Sequence, residues 1–243
     1  MWCVIIVQFI IIIAMWRTTL SPYDWAACQN NQLSHCMMLS KLLPQAKSGD
    51  LVLFNDALKD PQNIIYGNNK FSHSGIIVVI NNIPYILEIV DRNDYLLPKN
   101  VKTLTEGDVL LSPMVERIQY YPGSVSYCAL KKKLNNHQNL LLSNLALTWR
   151  PKFIISRLKL LAITFTNKSW GNERFCHEFI CDILQKIGIT NTPIKNKIRF
   201  NLSKEMVKMI NKNDIYINNY IKIVPDKLLV DHIQTPSVNL CYF

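Results

Sequence analysis

The stretch "HSGIIVVINNIPYILEIV", residues 73–90, restricts the fold more than any other part of the chain. Two runs rich in Ile and Val flank Asn81-Asn82, and a two-residue Asn connection between β-formers signals a hairpin. With a two-residue turn, paired residue numbers sum to 163, so Gly75 lies opposite Glu88. His73 then shares a face with Gly75, one diagonal step from Glu88. Diagonal cross-strand neighbours lie about 7–8 Å apart at Cα, within reach of His and Glu side chains. Glu88 interrupts the apolar run "YILEIV", where a lone carboxylate is costly without a partner. A His73–Glu88 pair on one hairpin face fits that requirement, whereas a four-residue turn would keep both on one face but farther apart.

Around this hairpin the periodicity assigns further elements. "SGDLVLF" (48–54) reads as a turn and a buried strand, and "DVLLSP" (108–113) and "SVSYCALKK" (124–132) as two more strands. From about residue 135 the period becomes helical, in "NLLLSNLALTW", "FIISRLKLLAITF" and "CHEFICDILQKI", the last stopped by Gly188. "LSHCMMLSKLL" reads as a short helix stopped by Pro44, and residues 203–211 and 215–224 as a short helix and a strand. Strands first and helices after predict an α+β domain. No internal repeat is present.

The N-terminal "MWCVIIVQFIIIIAMWR" is apolar from Met1 to Trp16 except for Gln8. Sixteen helical residues span about 24 Å, short of the ~30 Å hydrocarbon core. The segment has no basic start and no clear small-x-small cleavage site, as a secretory signal would. Trp at both ends, with Arg17 beyond, suits an uncleaved single-pass anchor. The chain thus divides into a membrane anchor (1–17), a connector with a short helix (18–45), and a folded domain (46–243) whose residues 190–243 form a basic extension. Residues 1–124 hold 9 Lys/Arg against 10 Asp/Glu, and residues 125–243 hold 18 against 7. A basic half can face an anionic membrane surface or nucleic acid. There is no zinc-finger spacing, RNP-type motif or long charge run, so no nucleic-acid partner is expected.

Seven cysteines at irregular spacing, with no CxxC, do not form a disulfide framework and leave at least one free thiol. Of these, Cys176 opens the helix "CHEFICDILQKI" and shares a face with Ile180, Ile183 and Ile187. A helix N-terminus stabilises thiolate through its amide groups and dipole, and those amides can receive an oxyanion. A nucleophilic cysteine needs a base, and the base an orienting partner. Among five histidines (35, 73, 137, 177, 232), only His73 starts a strong core strand. The competing reading is that Cys176 packs a core, as buried cysteines commonly do. His177 and Cys181 stand at i, i+4, but no further Cys/His pair completes a zinc set, so no metal or other cofactor is expected. His177 and Glu178 are expected on the solvent flank.

In order, "SGDLVLF", "FSHSGIIVVI", a carboxylate on the next strand, "RFCHEFICDIL" and "IVPDKLL" (223–229) resemble the circularly permuted NlpC/P60 superfamily of papain-like proteins. That group includes YiiX-like hydrolases, a poxviral branch and relatives of lecithin:retinol acyltransferase. Its strand-borne His precedes its Cys helix, as His73 precedes Cys176 here. The resemblance covers roughly residues 46–231. It implies a permuted papain-like fold with an antiparallel sheet packed on helices, Cys176 as nucleophile, His73 as base and Glu88 as the residue orienting the imidazole. It implies a thiol hydrolase or acyltransferase acting on amide or ester bonds through an acyl-enzyme. The anchor and basic half point to a lipid or lipidated substrate at a membrane surface, and a peptide amide is the other substrate class. The poxviral branch, the anchor and the biased composition suggest a viral or endosymbiont source. The alternative is a catalytically silent papain-like domain serving as a membrane-bound interaction protein.

Overall fold

The computed structural model describes residues 36–55, 73–90, 101–121, 123–153, 173–174, 176–190, 215–217 and 221–226. The expected anchor (1–17), most of the connector, the helical run "FIISRLKLLAITF" and the helix expected at 203–211 lie outside them. Among the described residues, no helix is long and apolar enough to cross a membrane.

The hairpin forms in the expected register. Strand β3 (His73–Ile80) pairs antiparallel with β4 (Ile83–Ile89), with Ile80 opposite Ile83 and Ile76 opposite Leu87. Asn81 and Asn82 have φ of 51° and 63°. This is the left-handed pair that a tight hairpin turn requires and Asn tolerates. Around the hairpin, β1 (Cys36–Met38), β2 (Leu51–Asn55), β5 (Val109–Pro113), β6 (Ser124–Cys128) and β9 (Ile221–Val224) complete a sheet in the order β1-β9-β6-β2-β3-β4-β5. A second small sheet joins β7 (Lys152–Phe153) to β8 (Glu173–Arg174).

The expectation of an antiparallel sheet needs correction. The sheet is mixed, because β1 runs parallel to β9. Cys36–Met38, read as the start of a helix, form this strand, and the helix shrinks to α1 (Leu39–Leu42). Tertiary pairing with β9 decides a segment too short to hold a helix by propensity.

Helices cover both faces of the sheet, which is why β3 reads as a continuous apolar run. Alternate residues of each strand enter one of two cores. Leu51, Leu53, Ile76, Val78, Leu87 and Leu111 pack under α3 (Asn136–Thr148) and α4 (Cys176–Lys186). Val52, Phe54, Ile77 and Ile86 pack under α1 and α2 (Met114–Gln119). Helix α3 starts in a capping box: Asn135 Oδ1 accepts from Gln138 N at 2.8 Å and Gln138 Oε1 from Asn135 N at 3.0 Å. Helix α4 ends at Gly188, whose φ of 72° suits a glycine stop.

Two of the sequence motifs serve the fold. In "SGD", Ser48 Oγ accepts from Val79 N, and Gly49 O accepts from Tyr216 Oη. Buried Asp50 accepts from Tyr127 Oη (2.6 Å), Leu130 N (2.8 Å) and Lys47 N (2.8 Å). In "IVPD", Asp226 accepts from Ser40 N and Oγ at the start of α1. Cys36 belongs to a disulfide whose other half lies outside the described residues. Cys128, Cys176 and Cys181 are free thiols.

Candidate active site

His73 is the first residue of β3, directly opposite Phe54 on β2, and its ring tilts against that phenyl ring at 5.4 Å. The register puts Glu88 opposite Gly75, and a Cβ at Gly75 would stand 2.6 Å from Ile86 Cγ2 and 3.6 Å from Glu88 Cβ. The missing side chain is what lets β4 lie so close at this point. His73 Nε2 meets Glu88 Oε2 at 2.7 Å. The predicted diagonal pair is formed.

Glu88 is fully buried, and both of its oxygens are bonded. Arg117 of α2 donates from Nε to Oε1 at 2.6 Å and from Nη2 to Oε2 at 3.1 Å, a two-pronged contact that a guanidinium can make and an ammonium cannot. Arg117 is itself buried, with its guanidinium carbon 4.6 Å from the Phe54 ring centre and 5.2 Å from that of Tyr121. A carboxylate taken out of water costs several kcal/mol unless countered, and here a guanidinium and an imidazole counter it together.

Cys176, the first residue of α4, lies near enough to His73 for the thiol and the ring to act on each other's ionisation. His177 Nδ1 lies 3.6 Å from the same sulfur. This corrects the expectation that His177 and Glu178 face solvent: Glu178 is buried and His177 half-buried beside the thiol. The face with Ile180, Ile183 and Ile187 is buried as expected, but the inward arc is wider than that one stripe. Cys176 is 9% exposed and the His73 side chain 18%.

These contacts set the protonation states. Burial alone would raise the Glu88 pKa, but the Arg117 charge and then the His73 hydrogen bond outweigh it and lower it to about 2. Burial would lower that of His73, but the charge and hydrogen bond of Cys176, followed by Glu88, raise it to about 9. Burial opposes ionisation of Cys176 as well, yet the positive His73 ring and the His177 hydrogen bond draw its thiol well below the ordinary cysteine value. The thiols lacking such partners behave oppositely, since burial pushes Cys128 and Cys181 up to about 12. An ionised Glu88 can only accept, so His73 Nε2 carries hydrogen and Nδ1 is the nitrogen left for the sulfur's proton. Both shifts, the thiol downward and the imidazole upward, favour a thiolate beside an imidazolium.

No protein-family model matches this chain, and no curated protein does. Among solved structures, it is similar to the metalloprotein YiiX from Escherichia coli O157:H7, at 16% identity over 73% of this chain and 88% of that one, with a TM-score of 0.41. This is a distant likeness of fold. The three residues singled out from the sequence, Cys176, His73 and Glu88, are brought into one chain of contacts. Arg117 was missed. Its only signal was indirect: a buried carboxylate on β4 demands a cation, and the N-terminal half holds few.

Proposed function

We propose that this protein is a cysteine hydrolase or acyltransferase of the permuted papain-like, NlpC/P60 type, acting on amide or ester bonds. The observation that carries the reading is His73, bonded through Nε2 to the buried Glu88 carboxylate and close to the Cys176 thiol. In this mechanism the thiolate sulfur attacks the acyl carbon and the carbonyl π pair moves to oxygen, facing amide groups at the start of α4. The pair returns as the bond to the leaving amine or alcohol breaks, and His73 gives that group its proton. Neutral His73 then takes a proton from water, or from an acceptor amine or alcohol, as it attacks the thioester. Thiolate and imidazolium are restored. Glu88 holds the ring in position throughout. The apolar segment 1–17 and the basic C-terminal half favour a substrate at a membrane surface, a lipid or a lipidated protein.

Acyl-enzyme trapping tests the reading. The full chain in detergent is exposed to p-nitrophenyl acetate, to a long-chain p-nitrophenyl ester and to a fatty-acyl amide, then quenched in acid and digested for mass spectrometry. An acyl mass on the Cys176 peptide, absent in Cys176→Ser and His73→Ala, is the expected result. With no acyl adduct from any probe and no preferential labelling of Cys176 by iodoacetamide, the binding-module reading replaces this one.

A further inference from the structure

Four side chains from four elements stand in one row: the Cys176 thiol (α4) near the half-buried His73 ring (β3), the buried Glu88 carboxylate (β4) bonded to that ring, and the buried Arg117 guanidinium (α2) bonded to Glu88. We propose that Arg117 is a positioning residue for the Cys176–His73 pair, clamping both oxygens of Glu88 so that this carboxylate stays ionised, fixes the His73 ring and holds its proton on Nε2. The proposal rests on the nucleophile reading above and extends it to a residue that never meets substrate.

Charge balance along the row carries the proposal. With the thiol ionised and the ring protonated, the four charges alternate in sign and cancel. Without the guanidinium, the same state holds a net negative charge in a site that is almost wholly out of water. Such a site relieves itself by binding a proton. If Glu88 binds it, the ring loses the acceptor that orients it. If the sulfur binds it, the nucleophile is lost. Either way the reactive pair is populated only at higher pH. The geometry is specific as well: Nε and Nη2 reach different oxygens of Glu88, while the Phe54 and Tyr121 rings flank the guanidinium and limit its movement. Among the described residues, His177 stands beside the sulfur and Tyr121 beside the guanidinium, while Cys181 lies near Cys176 on α4 with Glu178 and Asp182 close to it.

The readout is the pH dependence of Cys176 alkylation. The full chain in detergent is treated with limiting iodoacetamide from pH 5 to 9.5, and the Cys176 peptide is quantified by mass spectrometry. Cys128 and Cys181, buried and free, are labelled only if the fold opens, so each sample reports its own integrity. The variants are Arg117→Met, Arg117→Lys, Glu88→Gln and Glu88→Gln/Arg117→Met, with each comparison repeated in a His177→Gln background to remove the neighbouring imidazole.

Arg117→Met is expected to move the midpoint upward by about one pH unit, a roughly tenfold lower labelling rate on the acid limb. Arg117→Lys, which keeps the charge but not the fork, should recover part of that loss. In the Glu88→Gln background, removing Arg117 should shift the midpoint much less than it does in wild type, because most of its effect passes through that carboxylate. Should Arg117→Met open the fold, the Lys variant and the Glu88→Gln pair carry the comparison. Wild-type midpoints in the Met and Lys variants, with Cys128 and Cys181 still protected, would make Arg117 a packing residue and leave the nucleophile reading intact. A wild-type Cys176 no more reactive at pH 7 than Cys128 would sink both.

Discussion

Replacing Gly75 by alanine tests the tightest part of the site. The added Cβ would stand 2.6 Å from Ile86 Cγ2, 3.3 Å from Leu87 O and 3.6 Å from Glu88 Cβ. The first distance demands movement, and a β-branched methyl fixed close to its own backbone cannot swing away. Overpacking of this kind costs about 1–3 kcal/mol, while the lower entropy of unfolded alanine returns about 0.4–1 kcal/mol. A net loss of about 1–2 kcal/mol follows, or about 0.5–1 M in urea midpoint at an m-value of about 2 kcal/mol/M. The assay is urea unfolding of the full chain in detergent, together with the Cys176 labelling profile, which should weaken as Glu88 is pressed out of line with His73. Ile86→Leu removes the offending branch at constant volume, so Gly75→Ala/Ile86→Leu should be more stable than the two single costs predict. A stability for Gly75→Ala equal to or above wild type, or strict additivity in the double variant, would refute the close approach of β4 and the role given to the missing Cβ.

Three other outcomes follow from the same contacts. The folded-state pKa of Glu88 lies below its unfolded value, so its contribution to stability is present above pH ~4.5 and lost as pH falls through about 2. Urea unfolding at pH 5, 4 and 3 should therefore show wild type losing more stability than Glu88→Gln, by roughly 2 kcal/mol between pH 5 and 3. On the alkaline side, turnover of an ester probe should fall above pH ~9 as His73 loses its proton, and Glu88→Gln should bring that limb to lower pH; an unmoved limb would show that Glu88 does not act on the ring. Asp50→Ala orphans three buried or part-buried donors and should cost roughly 3 kcal/mol in urea unfolding, with the Cys176 labelling profile in zero denaturant unchanged.

The hairpin and its register were legible because they depend on neighbours in sequence. Asn81-Asn82 fixes the turn, the turn fixes the pairing, and the pairing puts Glu88 beside His73. Helix α4 was legible for the same reason, through its apolar spacing and the stop at Gly188. What could not be read depends on distant partners. Cys36–Met38 become a strand only because β9 lies beside them. Helix α2, with Arg117, is six residues long and carries no capping side chain, so its local signal was weak. Burial of His177 and Glu178 likewise follows from how α4 meets the end of the sheet, which no helical periodicity encodes. "SGD" and "PD" were visible as motifs, yet only the contacts of Asp50 and Asp226 reveal that they brace the scaffold away from the sulfur.

Cys176 and His73 are rooted in different cores. Cys176 belongs to the apolar cluster beneath α3 and α4, whereas His73 leans on Phe54, and Arg117 sits beside Phe54 and Tyr121, in the cluster on the opposite face. Their meeting at the end of β3 is therefore a measurement of alignment between two layers, made continuously by the molecule itself. Trimming Ile183 in one layer or Ile118 in the other touches neither reacting group. Under the proposed function, either change is expected to slow turnover of an ester probe, because near-attack geometry tolerates less drift than cooperative folding does. On that proposal, fine tuning of rate would be distributed through the whole thickness of the domain, while the chemical identity of the site stays with a few side chains.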